Sequence, residues 1–139
     1  MYKRQLKRHG YRSLCVGFGE FYRGFDEYRN FSAWGPWEER PLRKAENLNA
    51  ITLPWLDEAA ADDKPFFLFL RHMDPHSPYL PPAPFDTLFY AGDPTDKKKR
   101  SMRKVFAFKP FADFFKSWMP PGITDAEWAI SSYDGELAY

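Results

Sequence analysis

The chain has 139 residues, a formal net charge of +1, 44% hydrophobic residues and 19% aromatic residues. This is enough apolar material for one core and excludes a disordered chain, while the near-neutral balance gives no case for nucleic acid as a partner. No run approaches the roughly 18 apolar residues of a membrane span, and the start lacks a signal-type apolar region. The single cysteine, Cys15, permits no internal disulfide and leaves the compartment open.

The opening Met1-Tyr2-Lys3-Arg4-Gln5 matches the translation of a transposon mosaic-end sequencing adapter. Residues 1–5 are therefore read as a sequencing-adapter or cloning artefact and left out of the fold reasoning. Arg12 to Phe18 then reads as a short strand after the turn-prone His9-Gly10. The aromatic, glycine-rich segment through Trp37, which holds Gly24-Phe25-Asp26-Glu27-Tyr28, has no clear period and reads as loop. From Pro41 to about Ala60, the positions Ala45, Leu48, Thr52, Trp55, Leu56 and Ala59 recur at three and four, the period of an amphipathic helix. Pro41 suits the first helical position, whereas Pro54 removes an interior hydrogen bond and predicts a kink or a split near Leu53.

Phe66-Phe67-Leu68-Phe69-Leu70 follows the turn at Asp62–Pro65 and reads as a strand buried on both faces, as in parallel sheets. Helix followed by strand is half of a βαβ unit and predicts an α/β fold. Proline is dense from Pro75 to Pro84, which makes that stretch an extended loop at the strand's end. Lys97-Lys98-Lys99-Arg100, with Arg103 and Lys104, is a solvated face or, alternatively, a patch for phosphate or a sulfated polymer. A short helix is expected around Asp113 within the aromatic stretch Phe106–Trp118. Thr124-Asp125-Ala126-Glu127 has the form of a capping box with an Ile123/Trp128 staple, and Ile130, Tyr133 and Leu137 form one apolar stripe on the helix that follows.

Chemistry is expected beyond the carboxyl end of the Phe66–Leu70 strand, where open α/β sheets bind ligands. His76 is the catalytic candidate there, because an imidazole holds or releases a proton near neutrality; the bland alternative is a histidine that fastens the turn. His72 suits packing or a supporting role, and Asp74, standing before proline, suits a turn, with metal ligation or orientation of His76 as the alternative. Cys15 lies mid-strand in apolar company, where a thiol behaves as a small hydrophobe. The glycines fit neither GxxxxGK[ST] nor GxGxxG, and the carboxylates Asp57, Glu58, Asp62 and Asp63 lack convergent partners for a metal.

Four collinear segments resemble one family. Lys64-Pro65-Phe66-Phe67-Leu68-Phe69 running into Asp74-Pro75-His76-Ser77-Pro78-Tyr79 and Pro81-Pro82 is similar to the KPFFLFxxxxDPHxPYxPP segment of the sulfatases, in the alkaline-phosphatase superfamily. Gly10-Tyr11-Arg12-Ser13 resembles their GYxT-type strand start, Gly24–Tyr28 their GFDEY loop, and Tyr133-Asp134-Gly135-Glu136-Leu137-Ala138-Tyr139 their YDGEIAY helix. The resemblance implies a partial alkaline-phosphatase-like α/β sandwich with a mostly parallel sheet flanked by helices. It makes residues 6–139 the central part of a catalytic domain truncated at both ends.

Such enzymes hydrolyse sulfate monoesters of small molecules or glycans, using a formylglycine made from a C/S-x-P-x-R motif and a calcium ion. The resemblance gives His76 contact with sulfate or protonation of the leaving oxygen, with Asp74, Pro75, Pro78 and Tyr79 as its supporting loop. Cys15-Val16-Gly17-Phe18-Gly19 lacks the proline and arginine of the nucleophile motif. The family's metal aspartates and its GKWH-type lysine and histidine also lack counterparts. No calcium or formylglycine is therefore expected on residues of this chain, and the isolated chain is expected to be inactive. Phosphodiesterases, phosphonate hydrolases and phosphoethanolamine transferases share the scaffold, and the upstream nucleophile motif separates them. A non-catalytic module that stacks sugars on the aromatics of Phe18–Trp37 and Phe106–Trp118 is the rival from another class.

Overall fold

The computed structural model describes residues 2–17, 24–31 and 44–139. These residues form two compact units, one ending at Met73 and one running from Asp74 to Tyr139. The first holds helix α1 (Tyr2–Arg8), strand β1 (Arg12–Gly17), strand β2 (Glu27–Asn30), helix α2 (Lys44–Ala60) and strand β3 (Phe66–Leu70). All pairing is parallel, in the order β2-β1-β3, with Leu14 opposite both Glu27 and Leu68. The predicted α/β class with a parallel sheet is what the chain forms. Helix α1 runs through residues 2–5, which the sequence reading had set aside.

Strand β1 is buried because it is central: Ser13, Leu14, Cys15 and Val16 have no exposed surface. Alternation sends Leu14 and Val16 to one face, where Leu68 and Leu70 of β3 join them. Leu48, Trp55 and Ala59 of α2 close that core with Phe31 and Met73. With Thr52 these α2 residues stand at intervals of three and four, so the helical period expected from the sequence is the buried stripe. On the opposite face Phe25 stacks on Phe67 at 6.1 Å.

Three expectations are corrected in this unit. β3 is an outer strand of the described sheet, and its Phe66 and Phe69 are 36% and 43% exposed; the strand buried on both faces is β1. An apolar run signals burial without saying which position in the sheet will supply it. Glu27–Asn30 is a strand and not loop, because its backbone completes the ladder with Leu14–Gly17. Finally, α2 passes through Pro54 without splitting. Pro54 and Ala50 lie on the exposed face, so water can serve the Ala50 carbonyl that the proline leaves without an N–H donor. Phe18, most of the aromatic segment and Pro41 lie outside the described residues.

The GFDEY segment fastens the amino ends of the strands. Gly24, at φ 97°, takes a left-handed turn that favours glycine. Asp26 accepts from the Ser13 amide at 3.0 Å and its hydroxyl at 2.8 Å, and pairs with Lys7. Lys7, then the Ser13 donors, hold the Asp26 carboxyl below its ordinary range against the effect of burial. Glu27 accepts from Arg12 at 2.8 Å and from the Trp55 indole N–H at 3.2 Å, while Arg12 also reaches Glu58 at 2.8 Å. This network sits at the edge of the sheet opposite the carboxyl ends, and its work is structural.

The second unit contains the loop from Asp74 to Arg100 and helices α3 (Met102–Ala107), α4 (Lys109–Trp118) and α5 (Ala126–Ala138). The short helix expected around Asp113 is α4, and α3 precedes it as a separate helix. They break at Phe108 because Pro110, in the first turn of α4, has no N–H to extend the ladder. The cap of α5 also differs by one residue: Asp125 is the N-cap and accepts from the Glu127 amide at 3.3 Å. Thr124 instead donates its hydroxyl to the Asp96 carbonyl at 2.7 Å.

Candidate active site

The segment that carries His76 is shaped by proline and anchored by α5. Asp74–Pro75 and Ser77–Pro78 are cis. Asp74, Pro75, Pro78 and Tyr79 are half-buried, whereas Ser77, Leu80, Pro81 and Pro82 are buried and His76 is exposed. His76 Nδ1 lies 2.8 Å from the Ser77 carbonyl oxygen. A carbonyl only accepts, so Nδ1 is the donor in this contact and carries the proton of the neutral ring. The ring also stands 6.0 Å from that of Trp118 on α4, tilted by 45°.

Helix α5 holds the loop by its polar and small residues. Glu136, 3% exposed, accepts the Leu80 amide at 2.8 Å. At Gly135 the Phe85 carbonyl oxygen and Pro81 Cγ come so close that an added Cβ would meet them at 2.5 and 2.9 Å. Only glycine permits that approach. Tyr133 meets Tyr79 edge to face at 5.5 Å, and Tyr139 lies 5.7 Å from Phe85. Burial, with Tyr133 and Glu136 nearby, raises the Tyr79 phenol above its ordinary pKa. The DPHSPY and YDGELAY segments, more than fifty residues apart in sequence, are thus one packed assembly.

The apolar stripe expected on α5 does not face the interior. Ile130, Tyr133 and Leu137 are 56%, 38% and 61% exposed, and the buried face is Ser131, Ser132, Gly135 and Glu136. Small side chains win because the loop backbone has to come close. Gly135 and Glu136 were missed as positioning residues when the sequence was read for chemistry. A glycine inside a helical pattern, followed by a carboxylate on the same side, was the available signal.

A second polar cluster fixes the start of α5. Asp125 accepts from Lys99 at 2.7 Å, the Tyr90 hydroxyl at 2.9 Å and the Ser101 hydroxyl at 3.0 Å. Lys99, then the hydroxyls and the Glu127 amide, hold the Asp125 carboxyl at about 2 against the effect of burial. The same partnership raises the pKa of Lys99.

Other sequence candidates are placed elsewhere. His72 is exposed beyond β3, so packing is not its role. Cys15 is enclosed in the central strand. Among the described residues no three His, Cys, Asp or Glu side chains converge as a metal site. No helix among them is long and apolar enough to cross a membrane.

A parallel α/β sheet followed along the chain by a buttressed DPHSPY loop fits a hydrolase of the alkaline-phosphatase superfamily, and the family comparison makes that assignment. The family model described as Sulfatase matches residues 4–139, and the chain belongs to the sulfatase family. Comparison with curated proteins and with solved structures returned no match.

Proposed function

We propose that the enzyme to which this sequence contributes cleaves sulfate monoesters, with His76 contacting the sulfate or protonating the leaving oxygen. The observation that carries this reading is the presentation of His76: exposed, its Nδ1 committed to the Ser77 carbonyl, on a loop that Glu136 and Gly135 fasten to α5. Nε2 is then the atom through which the imidazolium form would donate. When the S–O bond to the leaving group breaks, charge develops on that oxygen, and an imidazolium placed beside it transfers its proton as the bond opens. Asp74, Pro75, Pro78 and Tyr79 shape the loop and take no part in bond making.

No C/S-x-P-x-R motif stands in these 139 residues, and no step is assigned here to a formylglycine or a calcium ion. Leaving-group dependence is the test. In the enzyme that joins this sequence to a C/S-x-P-x-R motif, His76→Ala lowers kcat/KM for aryl sulfates by about 10²–10⁴-fold. If His76 is the acid, the loss grows as the leaving phenol becomes more basic; if it contacts sulfate alone, the loss is uniform. A His76→Ala enzyme with unchanged kcat/KM across the series would overturn both roles. Preference for a phosphodiester over the matching sulfate ester would move the chain to another branch of the superfamily.

A further inference from the structure

Four of the six basic residues grouped in the sequence line a cleft, joined there by Lys116. Lys97, Lys99 and Arg100 of the loop, Arg103 of α3 and Lys116 of α4 line a cavity of about 720 Å³, within the roughly 300–1,000 Å³ of ligand-binding pockets. Among the described residues no carboxylate lines it. Lys99 is already committed to Asp125, and Lys116 lies 3.9 Å from Asp113 and over the Phe106 ring at 5.9 Å. Lys97, Arg100 and Arg103 have no ion-pair partner among the described residues. Three cations facing an open cleft without counter-charge create a local positive potential in a chain whose net charge is only +1.

The rest of the lining is largely apolar and includes Phe106, Met119 and Pro120. Such a lining suits the faces of sugar rings, while the cations suit the anions those rings carry. Nucleic acid fits less well, since the chain's isoelectric point of about 7.8 is far below that of basic nucleic-acid-binding domains. The cleft also adjoins the surroundings of the candidate histidine. Met119 and Pro120 line both it and an apolar pocket bounded by Ser77 and Trp118, and Trp118 is the ring beside His76.

We propose that this cleft is an anion subsite for a polysulfated oligosaccharide, gripping sulfate groups other than the one hydrolysed. The proposal rests on the sulfate-ester reading for the identity of its ligand. It is tested on the 139-residue chain by titrating a size-defined sulfated hexasaccharide, its desulfated counterpart and a single-stranded oligonucleotide at about 0.1 M salt. The sulfated sugar is expected to bind tightest. The triple variant Lys97→Ala/Arg100→Ala/Arg103→Ala, altered only at exposed positions, is expected to lose about tenfold or more in affinity and much of its salt dependence.

Binding by the triple variant within about twofold of the parent would overturn the subsite, as would equal affinity for the desulfated sugar or the oligonucleotide. The two readings can fail separately. Sulfate-selective binding that the triple substitution removes, in an enzyme without sulfate-ester hydrolysis, supports the cleft and overturns the hydrolase reading. Hydrolysis with hexasaccharide binding untouched by the substitution does the reverse.

Discussion

Replacing Gly135 by alanine tests whether α5 holds the catalytic-loop candidate. An alanine Cβ would stand 2.5 Å from the Phe85 carbonyl oxygen, where ordinary contact begins near 3.4 Å, so loop and helix must part by 3.4 − 2.5 = 0.9 Å. Pro81 Cγ, at 2.9 Å, blocks retreat on a second side. Overpacking of this kind costs about 1–3 kcal/mol, whereas alanine in a helix interior gains about 1 kcal/mol over glycine. The obstruction is backbone rather than the end of a flexible side chain, so the upper part of the range applies and the net loss is about 1–2 kcal/mol. Thermal unfolding of Gly135→Ala should therefore begin several degrees below the parent. Hydrogen exchange at the Leu80 amide should speed up with it. A variant that melts at or above the parent, with Leu80 equally protected, would refute the buttress.

Four other outcomes follow from the same structure. Glu136→Ala leaves the buried Leu80 amide without its acceptor and should destabilise by about 1–3 kcal/mol, read as lost exchange protection at Leu80; unchanged protection counts against the contact. The Asp125 carboxyl is depressed from 3.8 to about 2 on folding, so its stabilisation is complete above about pH 4 and lost as pH falls towards 2. Melting temperatures of the parent should therefore fall more steeply through that window than those of Asp125→Asn, and parallel profiles would contradict the pairing. Pro54→Ala restores the missing donor in a continuous helix and should stabilise by about 1–3 kcal/mol in urea denaturation; no gain would mean that α2 is broken there. The 139-residue chain by itself should not hydrolyse an aryl sulfate, and turnover above a heat-denatured control would show that it holds its own nucleophile.

What the sequence revealed depended on the range of the interaction. The α2 stripe was legible because Leu48, Thr52, Trp55 and Ala59 repeat within a few turns, and Phe66–Leu70 was legible as a strand for the same local reason. Which strand would be central was not, since β1 gains that position through partners at Glu27 and Phe66 that lie far along the chain. The inversion of α5 has a similar origin. Ile130, Tyr133 and Leu137 look like a core face until the loop at Pro81–Phe85 is brought against Gly135. His76 could be named from its motif, but its support by Glu136 could not, because a carboxylate's burial depends on an amide fifty-six residues away. The one-residue shift of the α5 cap arose because Thr124 found carbonyl acceptors at Pro94 and Asp96, leaving the cap to Asp125.

The most direct test of the central claim is the rate at which the enzyme carrying both this sequence and the nucleophile motif hydrolyses matched aryl sulfates, with and without His76. His76→Ala is expected to lose at least about 10²-fold in kcat/KM, or about 2.7 kcal/mol of transition-state stabilisation, at unchanged thermal stability. Hydrolysis by the variant within a few-fold of the parent would contradict that claim, reducing His76 to a residue that only fastens its turn.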